Sequence, residues 1–91
     1  MLDIAVHKIF SKDIKKAKLN SSNSAKLFLY ISTLLKEEEL PPSAKDHSLS
    51  GEYQDTREFH IGGDLIVIYR IENNILQLLR LGTHSQLFKK F

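Results

Sequence analysis

Three histidines and one aspartate, side chains that can take up or release protons in catalysis, lie in and around the most strand-like part of the sequence. His60 and Asp64 flank the dipeptide Gly62-Gly63, while His47 precedes this region and His84 follows it. Imidazoles, whose pKa is ordinarily about 6.5, serve as general acids and bases at neutral pH. The sequence has no nucleophile elbow, HExxH motif or phosphate-binding glycine loop. The set therefore predicts acid–base catalysis on a substrate that supplies its own nucleophile, as RNA does with its 2′-hydroxyl.

The hairpin between His60 and Asp64 decides whether these two side chains share a face of the sheet. A two-residue loop of Gly62-Gly63 would make Ile61 oppose Asp64 and would send His60 to the other face. A three-residue loop that includes Ile61, or a bulge, would bring His60 and Asp64 to one face. A shared site therefore requires the longer loop or the bulge.

Basic side chains could neutralise a phosphate in such a site. Arg57 and Arg80 lie on predicted strands and are candidates for this role. Residues 7–26 contain six lysines and one acid, and three of these lysines fall on the polar face of the first predicted helix: Lys12, Lys15 and Lys16. A face of this kind is either ordinary solvated surface or a polyanion-binding surface, and the sequence leaves both interpretations open.

Periodicity and turn residues predict the order β-α-α-β-β-β. The second helix is expected to bury Leu27, Phe28, Ile31, Leu34 and Leu35. The apolar run Leu65 to Tyr69 indicates a central strand that is covered on both faces, or covered on one side by a partner protein. Strands and helices are segregated, so the fold class is α+β, with an antiparallel sheet and a two-helix hairpin packed on one face. The predicted elements are a strand at 2–6, helices at 8–18 and about 22–38, a loop at 43–51, strands at 52–61, 64–71 and 75–81, an Asn73-Asn74 turn between the last two strands, and a helical turn or tail at 85–91.

Size and composition predict one globular domain, residues 1–91. Hydrophobic residues make up 42% of the chain and charged residues 26%, and the net charge is +2. No apolar run approaches the roughly 20 residues of a membrane span, no signal peptide is apparent, and there is no cysteine. We therefore expect a cytoplasmic protein that has no membrane partner.

Three motifs resemble the YafQ branch of the RelE/ParE toxin superfamily. They are KDHSL at 45–49 followed by Gly51, REFHIGGDLIVIYR at 57–70, and LRLGTHSQLF at 79–88. The resemblance implies a RelE-like fold and a toxin of a bacterial type II toxin–antitoxin system that cleaves mRNA, usually in the ribosomal A site. The implied partners are a cognate antitoxin, mRNA and the 70S ribosome, and no metal or other cofactor is expected.

The resemblance also implies roles for the candidate residues. The 2′-hydroxyl would attack the adjacent phosphate and leave a 2′,3′-cyclic phosphate and a 5′-hydroxyl. His84 would be the general acid for the leaving 5′-oxygen, Asp64 or His47 the base, and His60 a support for charge and position. Phe88 would stack on a base.

The sequence departs from the family pattern in the hairpin and at its end. Leu65 stands where some family members have Trp, the turn is Gly62-Gly63 rather than one containing Pro, and Lys89-Lys90-Phe91 extends past the usual Leu-Phe end. The first two departures bear on substrate preference or rate.

The sequence leaves three rival interpretations open. The first is a non-catalytic toxin of the same fold, such as a gyrase poison, and the second is a simple nucleic-acid-binding module. The third is a zinc site formed by the imidazoles and a carboxylate. The lysine-rich helix and the absence of compact ligand spacing favour the nuclease over the metal site.

Overall fold

The computed structural model describes residues 1–88 and confirms an α+β fold with a sheet and a helical hairpin. The predicted extension Lys89-Lys90-Phe91 lies outside the described residues. Within residues 1–88, no helix has the length and apolar content required to cross a membrane. The elements are β1 Asp3–Val6, α1 Lys8–Ala17, α2 Ser21–Leu35, β2 His47–Ser48, β3 Arg57–Gly62, β4 Leu65–Glu72, β5 Ile75–Thr83 and α3 His84–Leu87, with single 3₁₀ turns at Pro42–Ala44 and Gly51–Tyr53.

The five strands form one sheet in the order β1-β5-β4-β3-β2. The β3–β4 and β4–β5 pairs are antiparallel, as predicted, and the additional β2–β3 pair is antiparallel too. Strand β1, however, runs parallel to β5, with Asp3 opposite Ile75. The sheet is therefore mixed rather than wholly antiparallel. No tight turn joins β1 to its partner, because two helices and three strands intervene, so the antiparallel direction that a hairpin imposes does not apply.

The segment before β3 differs most from the prediction. The expected loop at 43–51 contains the short strand β2, which pairs His47 with Glu58. The expected strand at 52–61 begins only at Arg57. Gly51 and Asp55 both adopt a φ of +68°, which is incompatible with an extended strand. The chain therefore turns through residues 51–55 before it enters the sheet.

The hairpin between β3 and β4 has the predicted bulge, but its turn is displaced by one residue. His60 pairs with Ile66, and Gly62 pairs with Leu65, so Ile61 is the extra residue. The two turn residues are therefore Gly63 and Asp64 rather than Gly62 and Gly63. Asp64 lies at the tip of the hairpin, outside the strand ladder.

The second helix also differs from the prediction at both ends. It begins after Asn20, whose side-chain oxygen accepts a hydrogen bond from the Asn23 backbone at 2.8 Å, so the cap precedes the predicted Ser22 or Asn23. It ends at Leu35 rather than near residue 38, because Glu37 adopts a φ of +60°.

Strand β4 is buried on both faces, as predicted. One face packs against the helices through Val67 and Tyr69, and the other carries a smaller cluster that includes Ile66, Ile68 and Leu87. The prediction for Phe28 is wrong, since its side chain is 71% exposed. Tyr30 is buried in its place, with its ring edge-on to Phe59 at 5.7 Å between centroids.

Phe59 and Phe28 offer a matched test of this core. Replacing fully buried Phe59 by Ala should lower the free energy of unfolding by about 3–5 kcal/mol, because the ring leaves a cavity between Tyr30 and Tyr69. Phe28→Ala should change it by less than about 0.5 kcal/mol. Urea denaturation followed by circular dichroism measures both changes. Equal destabilisation by the two substitutions would contradict the assigned orientation of α2.

Candidate active site

A buried glutamate, Glu58, lies at the centre of the site. Its side chain is 2% exposed, and its Oε2 atom lies 3.4 Å from Nε2 of His47, 3.2 Å from Nε2 of His60 and 3.1 Å from Nε2 of His84. The three predicted histidines thus converge on one carboxylate oxygen. Glu58 was not among the site residues predicted from sequence. The available signal was its position two residues before His60, since alternate residues of a strand share a face.

The short strand β2 brings His47 to this cluster. His47 pairs directly with Glu58 across the sheet, and its Nδ1 lies 2.7 Å from the carbonyl oxygen of Lys45. A carbonyl only accepts hydrogen bonds, so Nδ1 carries the hydrogen. In the neutral ring, Nε2 is therefore the basic nitrogen, and it faces Glu58.

Asp46 fixes the loop that carries His47. Its Oδ1 atom accepts hydrogen bonds from the Tyr69 hydroxyl at 2.6 Å and from Nε of Arg57 at 3.2 Å. Burial and the carboxylate of Asp46 raise the pKa of Tyr69, so its hydroxyl keeps its proton as the donor. Burial lowers the pKa of Arg57, whereas its hydrogen bonds to Tyr69 and Asp46 raise it, and the net shift is upward. Arg57 lies on the same face of β3 as Phe59, opposite the face that carries the imidazoles. It therefore anchors the loop from the other side of the sheet.

His84 stands at the first position of α3, directly after β5. The Thr83 side chain accepts a hydrogen bond from the Gln86 backbone at 3.2 Å, and the Gln86 side chain accepts one from the Thr83 backbone at 2.9 Å. This reciprocal capping box fixes the start of the helix and therefore the position of the His84 ring.

Two carboxylates favour the charged form of His84. Its Nδ1 lies 2.8 Å from Oδ1 of Asp64, and its Nε2 lies 3.1 Å from Oε2 of Glu58. Ionised carboxylates only accept hydrogen bonds, so both ring nitrogens carry hydrogen. The bond to Asp64 and the weaker influence of Glu58 raise the pKa of His84, and partial desolvation opposes them. Asp64 thus orients and charges His84 from the turn.

Aromatic rings cover one side of His84. Phe88 stacks on the imidazole, with 5.7 Å between centroids and 24° between planes, and Tyr53 meets Phe88 edge-on at 5.2 Å. The Tyr53 hydroxyl donates to the backbone oxygen of Leu87 at 3.1 Å. Phe88 is therefore packed within the structure, and a base-stacking role for it remains a prediction.

The predicted basic residues are not all brought to the imidazoles. Arg80 is paired with Asp13 of α1, with 2.9 Å between Nε and Oδ2. Lys16 lines a groove together with Arg80, while Lys12 and Lys15 are exposed on α1. Contact of these residues with substrate remains a prediction.

Part of the cluster has the geometry of a metal site. Within residues 1–88, one ligand atom from each of Glu58, His60 and His84 lies within 4.8 Å of the others. One carboxylate and two imidazoles suit zinc or copper. Binding a metal through Nε2 of His84 would require this nitrogen to lose its hydrogen.

The chain is similar over nearly its whole length to known proteins. Residues 2–89 match the family model described as "Bacterial toxin of type II toxin-antitoxin system, YafQ". The chain belongs to the YafQ toxin family. The "mRNA interferase toxin YafQ" of Escherichia coli strain K12 is 39% identical over 88 residues, which cover 94% of this chain and 95% of that protein.

Solved structures of family members share the fold. A metal-bound toxin from Helicobacter pylori is 41% identical, with a TM-score of 0.86 over 97% of this chain and 100% of that one. A chain of the E. coli DinJ–YafQ complex is 34% identical, with a TM-score of 0.84 over 97% of this chain and 99% of that one. The YafQ membership and the α+β fold expected from the sequence motifs are confirmed.

The assignment of charge to His84 can be tested by titration. Asp64→Asn removes the largest cause of the upward shift, so the pKa of His84 should fall towards its ordinary value. Carbon-13 and proton NMR of the His84 ring, recorded across pH, measures the shift. Glu58→Gln should lower the pKa less, and Asp3→Asn on β1 serves as a control. An unchanged pKa in Asp64→Asn would contradict the assigned pairing.

Proposed function

We propose that this protein is an mRNA-cleaving endoribonuclease, the toxin of a type II toxin–antitoxin pair. The observation that carries the proposal is the pair of imidazoles on Glu58: both ring nitrogens of His84 face carboxylates, while Nδ1 of His47 faces the carbonyl oxygen of Lys45. An acid and a base within 3.4 Å of one oxygen meet the requirement for transferring a phosphate from a 5′-oxygen to a 2′-oxygen. The name of the E. coli relative, an mRNA interferase, supports the choice of substrate.

His47 is the proposed base. The sequence left Asp64 and His47 as alternatives, and Asp64 is already engaged with His84. The side chain of His47 is 52% exposed, whereas that of Glu58 is 2% exposed, so a 2′-hydroxyl reaches His47 more easily than Glu58. When Nε2 of His47 takes the proton, the new imidazolium lies beside the Glu58 carboxylate. Glu58 then stabilises the charge that forms on the base.

His84 is the proposed acid. Its proton on Nε2 is donated to the 5′-oxygen as the bond to phosphorus breaks, which yields a 2′,3′-cyclic phosphate and a 5′-hydroxyl. Asp64 keeps the ring oriented through Nδ1 while Nε2 donates. His60, with its Nε2 on the same glutamate oxygen, holds Glu58 in position and adds a hydrogen-bond donor to the site.

The proposed reaction does not need a metal ion. A general acid, a general base and the 2′-hydroxyl account for every proton transfer. Glu58, His60 and His84 fit a metal, but its binding would replace the proton that His84 donates. The same residues therefore serve either as acid and support or as metal ligands, and the proposal predicts that a bound transition metal inhibits cleavage.

The proposed partners follow from the family. The E. coli relative forms a complex with DinJ, which supports a cognate antitoxin for this chain. The implied substrate is mRNA on the 70S ribosome in the cytoplasm, where a lysine-rich helix favours contact with ribosomal or messenger phosphate. Cleavage assays with and without programmed ribosomes test this point.

Substitution of the acid tests the nuclease directly. His84→Gln should lower the cleavage rate on the order of 10²- to 10⁴-fold, because no donor then protonates the leaving oxygen. Purified protein is incubated with mRNA, with and without programmed ribosomes, and the product ends are identified. His7→Gln is the matched control, since His7 caps α1 away from the cluster. Undiminished cleavage by His84→Gln would refute the mechanism.

Metal removal tests the second part of the proposal. Protein stripped with EDTA and returned to magnesium buffer should cleave programmed ribosomal mRNA at the original rate, and added zinc should slow it. A reaction without ribosomes, run in excess EDTA, tests separately whether cleavage itself needs magnesium. If stripping abolished cleavage and zinc restored it, the metal-free mechanism would be wrong.

A further inference from the structure

A groove of about 480 Å³ lies beside the proposed active site, between α1, the end of β5 and α3. This volume falls in the range of small-ligand sites. Apolar side chains such as Leu81 and Leu87 line part of it. Its polar lining is Asp13, Lys16, Arg80, Thr83 and Gln86.

The groove begins next to the proposed acid. Leu65 and Thr83 both line it and pair with each other across the sheet. Leu65 directly follows Asp64, and Thr83 directly precedes His84. Two residues that line the groove are therefore direct sequence neighbours of the His84–Asp64 pair.

The groove lies on the β5 side of the site. The sheet order β1-β5-β4-β3-β2 separates β2, which carries the base His47, from β5, which leads to the acid His84. Helix α1, with Lys16, contacts β5. An RNA strand that spans base and acid thus has its 2′-hydroxyl nucleotide towards β2 and its leaving nucleotide towards the groove.

Asp13 holds an arginine on the wall of this groove. Its carboxylate accepts hydrogen bonds from Nε of Arg80 at 2.9 Å, from Nη2 of Arg80 at 3.4 Å and from the backbone N–H of Leu81 at 2.9 Å. The last bond gives the Leu81 backbone N–H a partner at a point of β5 that lies beyond the end of its pairing with β1. Asp13 thereby engages two of the five guanidinium N–H groups, so others remain to donate to a phosphate.

The charges of the groove favour an anion. Lys16 and Arg80 contribute two positive charges, and Asp13 contributes one negative charge. The Asp13 hydrogen bond raises the pKa of Arg80 against partial desolvation, so the guanidinium stays charged. Basic groups beside an apolar wall suit a nucleotide, which presents both a phosphate and a base.

We propose that this groove binds the nucleotide on the 3′ side of the cleaved bond. Lys16 and Arg80 contact the phosphate that follows this nucleotide, and Asp13 is a positioning residue that fixes Arg80. The assignment rests on the proposed function, because the choice of side follows from His84 as the acid.

Matched ligands test the direction of binding. The probe is a dinucleotide whose first residue is 2′-deoxy, so that it binds without being cleaved. The dinucleotide is titrated into the protein in three forms: without a terminal phosphate, with a 3′-phosphate and with a 5′-phosphate. Nitrogen-15 NMR follows the signals of Arg80 Nε and of the amides of residues 81–84. The 3′-phosphate should tighten binding roughly three- to tenfold, and the 5′-phosphate should not.

Matched variants test the residues. Lys16→Ala should abolish the gain from the 3′-phosphate, while Lys8→Ala, on the same helix but not lining the groove, should keep it. Asp13→Asn should reduce the gain from the 3′-phosphate and shift the Arg80 Nε resonance, because Arg80 loses its charged partner. The amide oxygen introduced by this substitution can still accept from the Leu81 backbone, so the fold is retained.

The outcomes separate this proposal from the proposed function. Equal gains from the two phosphates, or equal losses in Lys8→Ala and Lys16→Ala, would indicate general electrostatic attraction and overturn the subsite. A gain from the 5′-phosphate alone would overturn the assigned direction. If mRNA is cleaved through His84 but the 3′-phosphate gives no gain, only the subsite fails. If neither the groove nor His84 responds to any of the dinucleotides, the subsite is overturned; if His84→Gln leaves mRNA cleavage undiminished, the proposed function fails and the assigned direction fails with it.

Discussion

The site depends on the need to satisfy a buried carboxylate. An ionised glutamate removed from water is costly by several kcal/mol unless charged or hydrogen-bonding partners replace its hydration. Glu58 is buried near the start of β3, and imidazoles from β2, β3 and α3 reach the same oxygen. Three separate parts of the chain are therefore held together by one acceptor. Removing that acceptor would leave the imidazoles without the group that orients them.

Most of the fold and the members of the site could be predicted from sequence. Short-range signals sufficed for α1, for the buried strand β4, for the Asn73-Asn74 turn and for the bulge that a shared site requires, because each depends on residues close in the chain. The convergence of His47 and His84 was predicted partly from strand order and partly from family motifs. The point at which they meet, the Glu58 carboxylate, was not predicted.

The errors arise where tertiary contacts override local pattern. A two-residue strand such as β2 has no periodicity to detect, and it exists only because β3 offers a free edge. Glu58 was overlooked because an acidic residue in a strand ordinarily faces solvent. Its burial becomes tolerable only when His47 and His84, distant in the sequence, join the neighbouring His60. Phe28 and Tyr30 differ by two positions on one helix, and packing against Phe59 decides which is buried.

The convergence of three ring nitrogens on one carboxylate oxygen has a consequence for how single substitutions are interpreted. Charged groups this close interact electrostatically, so the removal of one side chain changes the energy of a charge on its neighbours. The effect on rate of a substitution at any one histidine therefore reports on the whole assembly and not on that side chain alone.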